Sequence, residues 1–367
     1  MVFNADTGGV GGKAINLTTT TLTANGGSIA ANAGTVPAPA TVSQASGTST
    51  INSPITMATF NVSGGIANAN AAVMTTAFNI SGGTANINAG LSTDTLSLSG
   101  GTLQGSGAMA FSGTGTWSGG TLTGTGSLTV TNGATLTLNG GSKYFGTSTL
   151  INNGTVNWSA GQMTVAGNNT FTNNGLFDVQ GDLTWGQTSA GYIYNTSSTT
   201  AFANNGTFRK SAGTGALTLG SAFTNVYSYG YFNLVNSGTV DIQQGTVNLN
   251  MGTITLNTQL DGIGDGTLGI TGGTLNAGAN NLTAGKLTLS AGTLTGTGNL
   301  AVTNDFNFTG GTLGNTFYDL SLNKTGAFTI GNLAALKATH DITLTAAGGD
   351  LTIASYGISK TAGGNAP

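Results

Sequence analysis

"SGGTLTGTGSLTVTNGATLTLNGG" (residues 118–141) sets Leu or Val between Thr, Ser and Asn on alternate positions, and interrupts the alternation at Gly-Gly and Asn-Gly. A period of two marks a strand with one buried and one wet face, and the Gly-bearing interruptions are places where a chain turns at low steric cost. The stretch returns further on: "SAGTLTGTGNLAVTND" (290–305) follows residues 118–133 almost position for position. The same alternation runs through "TLSLS" (95–99), "KLTLS" (286–290), "DITLT" (341–345) and "DLTIA" (350–354). Short strands joined by corners therefore account for most of the chain.

The corners recur at regular intervals. "SGG" occupies 63–65, 81–83, 99–101 and 118–120, at steps of 18, 18 and 19 residues. A second series, "NNGTV" (152–156), "NNGLF" (173–177), "NNGTF" (204–208) and "NSGTV" (236–240), steps by 21, 31 and 32. Periods of this size belong to repeat architectures rather than to closed barrels or sandwiches. Stacking coils of about 20 residues, each with two or three short strands, at a strand spacing of roughly 4.8 Å predicts about 18 coils in a rod roughly 85–90 Å long. The expected fold is all-β: a parallel β-helix, or β-solenoid, right-handed by the crossover rule. Leu, Val, Ile and Phe would stack inside on like residues, with Thr, Ser and Asn outside and Asn ladders at the corners.

Composition agrees. Of 367 residues 63 are Gly, only 5% are charged, and all 11 acidic residues are Asp. Without Glu and with only 8 Lys plus Arg, the chain lacks the residues that cover exposed helix faces. Flexible Gly/Ser-rich linkers share the glycine content, but 38% of this chain is apolar and patterned. A net charge of −3 gives no basic stripe for nucleic acid. There is no Cys for disulfides or thiolate metal sites, and no apolar run approaches the 18 residues of a membrane helix. "MVFNADTGGVGG" at the start has neither the basic nor the apolar region of a signal peptide, which suggests a mature chain or an excised portion.

Three regions follow. Residues 1–60, which hold Pro37, Pro39 and Pro54, read as an irregular N-terminal cap or first coils. Residues 61–316 read as solenoid repeats with loop insertions near 186–200 and 220–232, where the step lengthens. Residues 317–367 read as C-terminal coils with a cap or tail, including one short helical turn near "NLAALKATH".

Catalysis on such a fold needs clustered carboxylates beside Arg, Lys or His. Alignment of the second series puts Asn157, Asp178, Arg209 and Asp241 at one position, which reads as a charge-compensated outward column. Asp178 and Asp182 are separated by the turn residue Gly181. His340, the single histidine, shows no nucleophile partner, and "DGIGDG" (261–266) is one turn rather than a tandem calcium repeat. No catalytic residue, cofactor or metal is expected. The better lead is tyrosine: Tyr192 and Tyr194, then Tyr227, Tyr229 and Tyr231, place five of eight Tyr in the two insertions. Their flat amphipathic rings suit contact with a glycan or a neighbouring protein.

"NNGTFRKSAGTGALTL", "NSGTVDIQQGTVNL" and "HDITLTAAGGDLTIASYGISKTAGG" resemble the β-strand repeats of filamentous-haemagglutinin-like proteins and autotransporter passengers. That resemblance implies a shaft at the bacterial cell surface that presents adhesive loops. The function expected is therefore a non-catalytic extracellular structural protein, with other surface components and glycans as partners. One alternative is a subunit that polymerises end to end with copies of itself; another is an ice- or glycan-binding solenoid, for which Thr121/Thr123, Thr135/Thr137 and Thr293/Thr295 would supply threonine arrays.

Overall fold

The computed structural model describes residues 21–24, 27–29, 41–165, 167–186, 197–223, 228–261, 263–314, 317–330, 336 and 338–353. It is all-β, without a helix among the described residues, and its parallel strands stack as a β-solenoid of about 14 turns spaced about 20 residues apart. The expected count was about 18, by dividing the whole length by a coil of about 20 residues; the steps of 31 and 32 in the second series dilute it. The helical turn expected near 332–340 lies largely outside the described residues, and Ala338 there forms a parallel bridge with Phe317. Two compact units divide the chain, Met1–Leu176 and Phe177–Pro367.

In the first unit the coil has a fixed anatomy. An eight-residue strand (Ile55–Val62, Val73–Ile80, Leu91–Leu98) is followed by a shorter one (Ile66–Ala69, Thr84–Ile87, Thr102–Gln104). Ile55, Val73 and Leu91 stack in register, as do Phe60, Phe78 and Leu96, and Val62, Ile80 and Leu98. Within each long strand the buried parity changes midway, and the ladder skips Ala58, Thr76 and Asp94. The strand bends there, making three faces from two strands. Bending turns carbonyls off the ladder, and buried hydroxyls meet them. Thr75 Oγ1 lies 3.1 and 3.0 Å from the carbonyls of Ala58 and Ala77, and Thr93 Oγ1 lies 3.2 and 2.8 Å from those of Thr76 and Thr95.

The Ser-Gly-Gly corner explains its own sequence. Gly65, Gly83 and Gly101 hold φ of 64°, 63° and 66°, and a Cβ on Gly83 would meet the backbone of the coil beneath at 2.5 Å. Only glycine combines that conformation with that approach. Asparagine ladders are present, one at a corner as expected, where Asn88 Nδ2 donates to Asn70 Oδ1 (2.8 Å), and two within strands, where Asn79 donates to Asn61 (2.9 Å) and Asn86 to Asn68 (2.7 Å). Regular stacking also begins before residue 60, since Thr41–Gln44 pairs with the second half of Ile55–Val62 and Thr48–Ile51 with Ile66–Ala69.

Core columns change size by compensation. Val62, Ile80, Leu98, Trp117, Leu138 and Trp158 form one column. Beside Trp117, position 115 is glycine, where a Cβ would meet the Phe111 ring at 2.7 Å. A large ring on one column thus fills the space that the next leaves. Trp158 Nε1 donates to Gly161 O (2.8 Å), whereas Trp117 Nε1 is buried without a partner. Asparagine also enters the interior, where sequence alone had placed it outside: Asn152 Nδ2 donates to Asn173 Oδ1 (2.7 Å) and to Leu176 O (2.9 Å).

The second unit keeps these rules over a longer step. Thr207–Lys210 stacks on Thr239–Ile242 in register, and buried Asn204 donates to Asn236 Oδ1 across 32 residues (2.7 Å). The insertion between them lengthens the coil without shifting the ladder. Part of it forms a hairpin, Ser221–Phe223 antiparallel to the start of Ser228–Asn236, the one antiparallel pairing among the described residues. Phe177, Trp185, Phe202, Phe208 and Phe232 pack as an aromatic cluster, with Phe177 and Phe208 stacked at 5.7 Å. The Trp185 indole donates to Thr200 Oγ1 (3.0 Å).

Because Ile55, Val73 and Leu91 are equivalent at an 18-residue offset, excising residues 73–90 should leave a folded protein. Its circular dichroism is expected to match the parent per residue, with a cooperative thermal transition, whereas excising half a coil should abolish that transition.

Candidate functional site

Three places gather side-chain chemistry. The first follows the bend of the long strands in the first unit. Stacking repeats the bend coil after coil and leaves a groove of about 370 Å³ bordered by Thr56, Met74, Thr76, Ser92, Asp94 and Ser112. Met74 is 58% exposed, a thioether standing among hydroxyls. Asp94 is the one acidic lining residue and accepts from Ser112 Oγ (3.0 Å). With no lining Lys, Arg or His, the groove has hydrogen-bonding and apolar contacts to offer but no acid–base pair.

The second is a charged cluster in the second unit. Arg209 stacks in register with Asp241 and forks onto Asp178, with Nε to Oδ1 at 3.0 Å and Nη2 to Oδ2 at 2.9 Å. The charge-compensated column is present, with one correction: the Asp178 side chain is only 3% exposed, because Arg209 and Gln180 close over it. Burial pushes the Asp178 carboxyl up, and hydrogen bonds from Arg209, Gln180 and Ser211 outweigh it, so its pKa lies below the ordinary carboxylate value. The same contact raises the Arg209 guanidinium. Next to it, Lys210 points inward and is fully buried, donating to Ala212 O (2.6 Å), Gly213 O (2.9 Å) and Asp182 Oδ1 (3.1 Å). Asp182 also accepts the Gly215 N–H (3.0 Å), so Lys210 and Asp182 together pin the 211–215 corner. A second alternating column runs Lys286, Asp305, Lys324, with Lys324 Nζ on Asp305 Oδ1 at 2.5 Å.

Lys143 repeats the inward arrangement in the first unit. Its ammonium is buried and donates to Gly141 O and Ala160 O, both at 2.8 Å. Burial lowers its pKa to about 8. Sequence reasoning missed both lysines, although the signal was present: Lys143 shares parity with Phe145, and Lys210 with Phe208, each just beside a glycine corner.

Of the tyrosines, Tyr192, Tyr194 and Tyr227 lie outside the described residues. Tyr229 and Tyr231 occupy same-parity positions of the strand Ser228–Asn236, opposite Ser197 and Thr199 of the neighbouring coil, and Tyr231 is half-buried. The threonine pairs do not make one array. Thr121 stacks on Thr102 in one ladder, while Thr135/Thr137 stack on Thr114/Thr116 in another, and the stack holding Thr295 meets Asn276 and Gly314. "DGIGDG" carries a positive-φ Gly264, and the Asp265 carbonyl accepts from Lys286 (2.9 Å). His340 stacks on Tyr318, with Nδ1 2.7 Å from Asp319 Oδ1. No family model, curated protein or solved structure matches the chain.

Two titration experiments follow. Removing the Arg209 guanidinium as Arg209→Leu strands a buried carboxylate and should cost on the order of 2–3 kcal/mol at pH 7. Since the folded Asp178 pKa is depressed, the stabilisation by the pair is full above about pH 4 and fades below it as the carboxyl protonates. Urea midpoints of parent and variant should therefore draw together progressively as the pH falls below about 4. Lys143 acts in the opposite sense. Its folded pKa near 8 is below the unfolded value of about 10.4, so the unfolded chain holds the extra proton between them and stability rises with pH across that window. The rise should be missing from Lys143→Met when the two chains are compared between pH 7.5 and 10.

Proposed function

We propose that the chain is a non-catalytic structural protein of the bacterial cell exterior, the β-solenoid shaft of a surface fibre or adhesin. One observation carries this reading: in both units coil stacks on coil in register, with like side chains on like. Such ladders give stiffness along the stacking direction from uncharged residues, with no Cys to oxidise. The ionisable groups support it too, since Asp178, Asp182 and Asp305 are each engaged by an Arg or Lys of a neighbouring coil. The likeness of the repeats to filamentous-haemagglutinin-like and autotransporter passengers points the same way. In the adhesin form of the proposal, the groove beside Met74 and Asp94 and the tyrosine-bearing insertions are the surfaces that meet a glycan or a neighbouring protein.

Antibodies raised against the chain should label intact cells of the producing organism. Labelling that appears only after lysis would overturn the reading. Electron microscopy of the purified protein at increasing concentration separates a shaft from a polymer: discrete particles are expected, and filaments that lengthen with concentration would replace the shaft by end-to-end assembly.

A further inference from the structure

We propose that Asp319, His340 and Asp341 form a site for one divalent ion of the zinc class, clamping two successive coils of the second unit. Leu282, Leu300, Leu320 and Ile342 stack in register, so the residues before them, Asn281, Asn299, Asp319 and Asp341, occupy one repeated position. Each side-chain oxygen there accepts the backbone N–H of its equivalent one coil on: Asn281 from Asn299 (2.9 Å), Asn299 from Asp319 (3.3 Å), and Asp319 from Asp341 (3.2 Å). Asparagine performs this task without charge. The last two coils nevertheless use aspartate, which sets two carboxylates on neighbouring strands about 4.8 Å apart, a destabilising arrangement unless a positive charge lies between them.

Elsewhere that charge comes from Arg209, Lys210 or Lys324. Here, among the described residues, no Arg or Lys is paired with either carboxylate; the group that faces both is the side chain of the single histidine, with Nδ1 2.7 Å from Asp319 Oδ1 and 3.3 Å from Asp341 Oδ2. The Tyr318 ring stacks on His340 at 5.2 Å with 6° between planes, which holds the plane of the imidazole. One ligand atom from each of the three residues lies within 4.8 Å of the other two. At metal–ligand distances of roughly 2.0–2.2 Å, neighbouring donors in a tetrahedral or octahedral shell are about 2.8–3.6 Å apart; the 3.3 Å separation from Asp341 matches an edge of such a shell, and the 2.7 Å separation from Asp319 is just short of one. One imidazole nitrogen with two carboxylate oxygens selects zinc and its first-row neighbours over magnesium or calcium, which prefer all-oxygen sites. The three side chains are partly exposed, which leaves an entry path and room for water to complete the shell.

A single histidine makes the test direct. In long-range ¹H–¹⁵N spectra of the labelled full chain, zinc chloride should move the Nδ1 resonance and saturate at one equivalent, and magnesium chloride should not. Asp319→Asn and Asp341→Asn should each weaken zinc binding at least tenfold. Both variants are expected to fold, because asparagine already stands at this position in the two preceding coils. An unmoved Nδ1, coordination through Nε2, or equal affinity in the Asn variants would overturn the proposal and leave a lone surface imidazole.

Discussion

Parallel stacking in register is the constraint on which everything else in this protein depends. It places each residue about one strand spacing from its equivalents in the coils above and below. A side chain is therefore selected first for compatibility with copies of its own kind. Aliphatic groups and aromatic rings meet that condition by packing, as Phe60 and Phe78 do at 5.1 Å. Asparagine meets it by donating upward and accepting from below. Charge does not, since a repeated charge repels itself. Scarcity of charge, at 5% of residues, thus follows from the geometry; charges alternate in sign in the columns of Arg209 and of Lys324 and turn inward singly at Lys143, with the lone Asp94 and the like pair Asp319 and Asp341 as departures.

The inward polar groups obey a second rule. They sit where the chain changes direction, because corners and bends swing carbonyls away from the ladder. A buried carbonyl without a donor costs about 1–3 kcal/mol, more than the roughly 0.8 kcal/mol gained by burying one additional methylene. A hydroxyl, amide or ammonium at the corner is then preferable to another aliphatic group. Thr75 and Thr93 serve the bend of the long strands, Asn152, Asn204 and Asn236 serve the Asn-Gly corners, and Lys143 and Lys210 serve corners with several carbonyls to satisfy. One column shows the substitution directly: Met57, Thr75, Thr93, Phe111, Val130, Asn152 and Asn173 follow one another in register, passing from thioether to hydroxyl to hydrocarbon to amide.

These rules also decide what was legible in the sequence. The Ser-Gly-Gly spacing and the alternation of Leu with Thr gave the solenoid and its coil length, because both are local and repeat. The column joining Arg209 to its aspartates was legible as well, since aligning the Asn-Gly corners supplied the register. The bend within the long strands was not. "ITMATFNV" alternates on either side of Ala58, and the change of parity is visible only once Met57 and Phe60 are known to be equally buried. Burial of Asp178 was hidden because alignment gives a residue's neighbours in its column and not how closely Arg209 and Gln180 cover it. The pairing of His340 with Asp319 was hidden for another reason: the partner lies 21 residues away, and no periodic signal marks a contact made once.

In a fold built from repeated columns, a position carries information when it breaks its column at a cost that packing does not explain. Gly115 is a break that packing does explain, because the Phe111 ring fills the space that a side chain there would take. Met74, exposed in register with Thr56 and Ser92, gains nothing from its neighbours in the coil stack. The passage from Asn281 and Asn299 to Asp319 and Asp341 replaces a neutral ladder with two like charges and sets the single imidazole against them. A shaft needs neither feature to stand. In the proposals above, both are where this solenoid meets something other than itself: a glycan or a neighbouring protein at the first, a cation at the second.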